Sequence, residues 1–121
     1  MTDIATLKLP ELPMYVKRGE SFSHSLWVKE DDDEPRDLTG YTAKLQVRVA
    51  ENSEVLLELA SSSGITITPS TGKILIEITK VQTAALEFDI ARYDLLVTSS
   101  AGISTYLVQG DFIIIPRYTQ E

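Results

Sequence analysis

Apolar residues recur at alternate positions through most of the chain, and a period of two predicts strands with one face on a core. From Tyr41 to Val49, the residues Tyr41, Ala43, Leu45, Val47 and Val49 alternate with Thr42, Lys44, Gln46 and Arg48. Phe22, His24, Leu26 and Val28 make a second apolar face, opposed by Ser21, Ser23, Ser25 and Trp27. Met14 to Val16 predicts a short strand before the turn at 17–20. Glu54 to Leu59 places Val55, Leu57 and Leu59 in one register. Its Glu and Leu residues also suit a helix, but so short a segment between turns cannot nucleate a stable one, so a strand is expected.

The second half repeats the pattern with clearer punctuation. Ser61 to Gly64 reads as a flexible link. Ile65–Thr68 and Lys73–Ile78 flank Pro69-Ser70-Thr71-Gly72, which predicts a hairpin. Thr79-Lys80-Val81-Gln82 has the form of a capping box, with Thr79 accepting from the residue-82 amide and Gln82 reaching back, and it opens a short helix through Leu86. Tyr93, Leu95 and Val97 then share a face, and 99–102 turns the chain. In the last strand Ile103, Thr105, Leu107 and Gln109 form one register and Ser104, Tyr106 and Val108 the other, with Gly110 as the expected bulge. Phe112, Ile113, Ile114 and Ile115 are apolar on both faces, which predicts cover on both sides, from the same domain or from another chain. Pro116 ends the strand.

A helix at a sheet corner followed by Tyr93 is the arrangement expected in an immunoglobulin-like sandwich, where the tyrosine hydroxyl ties back to the backbone of the preceding loop. The fold expected is therefore all-β, an immunoglobulin-like β-sandwich of about 7–9 antiparallel strands with one short helix between two late strands. Three parts are expected: an extended arm over 1–13, a β-sandwich over 14–116 and a polar tail over 117–121. Pro10 and Pro13 keep the arm extended. Ile4, Leu7, Leu9 and Leu12 are apolar for a free tail and make it a candidate contact with a neighbouring subunit, together with Phe112, Ile113 and Ile115. Thr79, Gln82 and Tyr93 are the expected structural corner.

Composition narrows the function classes. A length of 121 residues suits one domain with its own core, and no apolar run is long enough to span a membrane. The N-terminal residues have neither the basic start nor the apolar centre of a signal peptide, so synthesis in the cytoplasm is expected. The chain has no cysteine, which excludes disulfides and thiol chemistry. A net charge of −7 with scattered Lys and Arg disfavours nucleic acid.

Candidate chemistry is sparse. His24 is the one histidine and lies in the core-facing register, where a structural role is expected. The acidic run from Glu30 to Asp37 reads as a solvated loop, since it lacks the spaced acids, glycine and final glutamate of an EF-hand. Neither a nucleophile with its base nor a pair of carboxylates across a cleft can be assembled, and 61–64 lacks the lysine and following helix of a phosphate loop. The expectation is a protein that is no enzyme and takes no cofactor or metal.

The strand at 22–29, the acidic loop, the segment from Asp37 to Arg48, the hairpin with Gly72-Lys73-Ile74, the small helix, Tyr93-Asp94-Leu95 and the closing Leu107-Val108-Gln109-Gly110-Asp111-Phe112 together carry a family resemblance. Over roughly 15–116 the chain resembles small immunoglobulin-like virion proteins of tailed phages and prophages, and is similar in layout to the N-terminal domain of upper baseplate proteins that hold receptor-binding proteins. It lacks their extra C-terminal segment. The resemblance implies a structural subunit of the tail, baseplate or neck, located in the virion, with other virion proteins as partners and a homo-oligomer in the particle. A capsid decoration protein is one alternative. A glycan- or receptor-binding sandwich, with Trp27, Tyr15, Tyr41, Tyr106 and Tyr118 as stacking platforms, is another.

Overall fold

The alternating segments become strands, and the computed structural model, which describes residues 10–30 and 32–120, joins eight of them into one mixed sheet. In chain order they are β1 (Met14–Lys17), β2 (Phe22–Trp27), β3 (Thr42–Arg48), β4 (Leu57–Ser61), β5 (Gly64–Thr68), β6 (Lys73–Ile78), β7 (Ile90–Thr98) and β8 (Ser104–Ile115), with helix α1 (Lys80–Ala84) between β6 and β7. The spatial order is β1-β8-β7-β3-β4-β5-β6-β2. The sheet curls into a nearly closed, barrel-like form whose free edges are β1 and β2.

The all-β class is as expected, but a purely antiparallel pair of separate sheets is not what forms. β1 runs parallel to β8, and β4 is joined to β5 by a local parallel pairing of Ala60 with Gly64 and Ser61 with Ile65. The link at 61–64 is thus an ordered corner. Ser62 takes a positive φ of 69° and its amide donates to Ile65 O at 3.0 Å, which holds the sheet continuous around the bend.

Strand alternation fills the interior. Leu45 and Val47 of β3, Leu59 of β4, Ile65 of β5, Ile74, Ile76 and Ile78 of β6, Leu95 of β7 and Phe112 of β8 are almost completely buried, and burial of each such side chain stabilises by about 1.5–3 kcal/mol. The ring of Phe112 lies between Phe88 and Tyr93, with centroids 6.1 and 6.4 Å away. Two positions expected in the core lie outside it. Val49 and Val55 fall beyond the ends of β3 and β4 and are exposed, because the turn between them takes up 49–56.

The capping box forms as expected: the Gln82 amide donates to Thr79 Oγ1 at 3.1 Å and the Thr79 amide to Gln82 Oε1 at 2.9 Å. The hairpin β5–β6 turns through Pro69–Thr71 and Gly72, whose φ of 67° suits glycine. At the corner, however, the Tyr93 hydroxyl donates to Leu12 O at 2.7 Å and not to the loop before β7. That loop is held instead by Arg18, whose Nε donates to Leu86 O at 2.8 Å. Residues 10–13 are consequently fastened to the body, since the Leu12 amide also donates to Gln109 O.

The bulge sits before Gly110. Leu95 pairs with Val108 and Leu96 with Tyr106, so Leu107 is the extra residue. Val108 therefore points inward while Tyr106, expected in the same register, points outward. Gly110 is bare for another reason: a Cβ there would collide with the Leu12 backbone that packs across it.

Candidate functional site

Two features stand out on the outer surface of β1, β8, β7, β3 and β4. The first is apolar. Strand pairing aligns Tyr15 of β1 with Ile113 of β8 and Ile113 with Ile90 of β7, giving a cross-strand row of outward-facing apolar residues. Tyr15 and Ile90 are each 60% exposed, Ile113 is half-buried, and Ile115, two residues along the same face, is 39% exposed. Contiguous apolar residues on a sheet face are a recognised mark of a contact surface, whereas single ones need no explanation.

The expected contact residues therefore separate. Ile113 and Ile115 lie on this open face. Phe112 does not, because strand alternation turns it into the core, where it is fully buried. Leu12 is half-buried against the core and held by its two backbone hydrogen bonds. Ile4, Leu7 and Leu9 lie outside the described residues. Ile90 went unnoticed in the sequence and Tyr15 was read only as a stacking candidate, because neither belongs to a long apolar run and only the β1–β8–β7 pairing aligns them.

The second feature is polar and lies further along the same face. Glu58, Gln46, Asp94 and Gln109 are successive cross-strand partners, and Glu11 bridges to Gln109 at the end of the row. Gln46 Nε2 donates to Glu58 Oε1 at 2.7 Å and Gln109 Nε2 to Glu11 Oε2 at 2.9 Å. The neighbouring row pairs Arg48 with Arg92 and Arg92 with Asp111. Arg92 Nη1 donates to Asp111 Oδ1 at 2.8 Å and Nη2 approaches Glu11 at 3.5 Å, while Arg48 donates to Ser53 O and Gln46 Oε1. The two like charges of Arg48 and Arg92 are thus each satisfied locally.

Gln46, Arg48, Arg92, Asp94 and Gln109 of these rows, with Tyr93, Tyr106 and the 50–52 turn, line an open depression of about 790 Å³. Asp94 is one of its lining residues. Partial burial raises the pKa of its carboxyl, and the nearby Arg48 charge opposes that shift. The hydrogen bond to Asp111 raises the Arg92 guanidinium pKa, and the nearby Glu11 charge acts in the same direction. Such a ladder of amides and ion pairs rigidifies the face and can accept polar groups from a partner.

Elsewhere the expected candidates are dispersed. His24 faces inward at half-burial on β2. Trp27 is 57% exposed, with Lys73 Nζ 5.8 Å from its ring centroid. Tyr41 packs against the core, and Tyr118 is exposed near the C-terminus. The five aromatics do not assemble into one platform. In the acidic loop, Lys29 pairs with Asp33 at 3.6 Å and Arg36 with Glu30 at 3.8 Å. Among the described residues no three His, Cys, Asp or Glu side chains converge as metal ligands, and no helix is long and apolar enough to cross a membrane.

The chain matches no protein-family model, and no match was found among curated proteins.

Proposed function

We propose that this protein is a non-enzymatic structural component of a tailed-phage virion, a tail, baseplate or neck subunit that acts through protein–protein contacts. The observation that carries the reading is the exposed row of Tyr15, Ile113 and Ile90 with Ile115 beside it, at the free β1 edge of the sheet. An apolar row next to a free strand edge offers both buried area and backbone hydrogen bonds to a neighbour. The virion context rests on the resemblance in layout. On this reading the strands divide into an immunoglobulin-like pair of layers, β1-β8-β7-β3-β4 and β5-β6-β2, meeting at the β4–β5 corner.

A glycan-binding role has less in its favour, because Trp27 and Tyr106 lie on different parts of the sheet. The test is the double variant Tyr15→Ser/Ile90→Ser. Both side chains are exposed, so the melting temperature is expected to stay within a few degrees of the parent. Incorporation into particles assembled with the neighbouring virion proteins is expected to fall at least about tenfold, the effect of losing roughly 1.4 kcal/mol of contact energy. Unchanged incorporation would overturn the assignment of this surface.

A further inference from the structure

The other free edge, β2, carries a different signature. Its inward residues Phe22, His24 and Leu26 pair with Ile78, Ile76 and Ile74 of β6. The three isoleucines are at most 2% exposed, yet their β2 partners are only half-buried. The interior is therefore covered on the β6 side and incompletely covered on the open side of β2. A strand with small or apolar residues at alternate positions would complete it.

The chain contains such a sequence. Ala5, Leu7 and Leu9 alternate with Thr6 and Lys8. We propose that β2 accepts residues 5–9 of a second copy as an added antiparallel strand, with Leu9 beside Phe22, Leu7 beside His24 and Ala5 beside Leu26. In this register Lys8 falls opposite Ser23, whose other neighbour is Glu77. The small serine leaves the ammonium a path toward that carboxylate. Main-chain hydrogen bonds along the edge supply affinity, and the alternating side chains supply register.

The occupant is a second copy because this chain's own segment cannot reach the same place. The amide of Gln109 donates to Pro10 O at 3.2 Å, so Pro10 is fixed on the edge of β8, and the chain then runs parallel to β8 as far as Lys17. A tight turn, with Glu20 N donating to Lys17 O at 3.0 Å, leads straight into β2. Phe22 thus lies at the opposite end of this edge from Pro10, about 25 Å away at the usual strand rise. Leu9 is bonded to Pro10 and sits 3.8 Å from it by Cα spacing, so it cannot also lie beside its own Phe22. The far end of β2 is also closed, since Arg36 N donates to Val28 O.

The proposal deepens the assembly reading by naming one contact of the homo-oligomer. Its test uses the absence of native cysteine. Full-length Thr6→Cys and Ser25→Cys chains are mixed under mild oxidation, and mixed disulfide dimers are expected several-fold above those from either variant alone. The double variant is expected to form covalent oligomers. Mixed dimers no more abundant than the single-variant controls, or a double variant that closes only within one chain, would overturn it. A protein that cross-links in this way but never enters particles would fail the virion reading and leave this contact standing; particle entry without cross-linking would do the reverse.

Discussion

Tyr93 ties the N-terminal segment to the centre of the sheet through one hydroxyl. Its side chain is 3% exposed and its bond to Leu12 O is 2.7 Å long, so Tyr93→Phe removes the donor and leaves a carbonyl poorly satisfied. The expected cost is about 1–2 kcal/mol, read from the urea midpoint. Burial also raises the phenol pKa to about 12 from 10. Because the folded state holds this proton more tightly than the unfolded chain, the associated stability is complete below pH 10 and is lost as pH rises toward 12. Tyr93→Phe is expected to flatten that alkaline decline, and an unchanged slope would show that other groups set it. Thr83 is a comparable anchor on the opposite side. Fully buried, its hydroxyl accepts from Gly19 N at 2.9 Å and lies 3.0 Å from Glu20 O, holding the turn before β2. Thr83→Val keeps the shape but strands both groups, and a loss of about 1–3 kcal/mol is expected by thermal or urea unfolding.

At the scale of elements, the packing of residues 10–13 on β8 depends on Gly110. A Cβ at that position would meet the Leu12 backbone, so Gly110→Ala is expected to lift the segment, with a cost of about 1–3 kcal/mol. Hydrogen exchange at the Leu12 amide should accelerate at the same time, because its bond to Gln109 O is lost. Retained protection at Leu12 would contradict this role. The elements also show what the sequence could convey. Alternation identified the strands, Pro69-Ser70-Thr71-Gly72 the hairpin turn and the capping box the short helix, because each is a local signal carried by neighbouring residues. The bulge at Leu107 was read at Gly110, since glycine serves equally for a register change and for close approach of another backbone. That single displacement parts Tyr106 from the register of Val108, turning one outward and the other inward.

For the whole molecule, sheet closure depends on non-local pairings that no short window of sequence encodes. The corner at 61–64 joins what would otherwise be two layers, and β1 turns parallel to β8 because the chain enters along that edge. The exposed apolar row was less legible still. Strand alternation put Ile113 and Ile115 outside but drew Phe112 inside, while Tyr15 and Ile90 joined the row only through the order of strands. Two free edges and one apolar row are a poor surface for a solitary domain and a suitable one for a repeated subunit. The Tyr15→Ser/Ile90→Ser protein is accordingly expected to fold, stay dispersed at higher concentration than the parent, and fail in assembly.

The most direct test of the central claim is a count of copies of this chain in particles purified from cells that express it with its neighbouring virion genes, by quantitative mass spectrometry against an internal standard. A fixed copy number that matches the rotational symmetry of the tail, baseplate or neck is expected. Particles that are complete and infectious without the chain, with none of it co-purifying, would contradict the account.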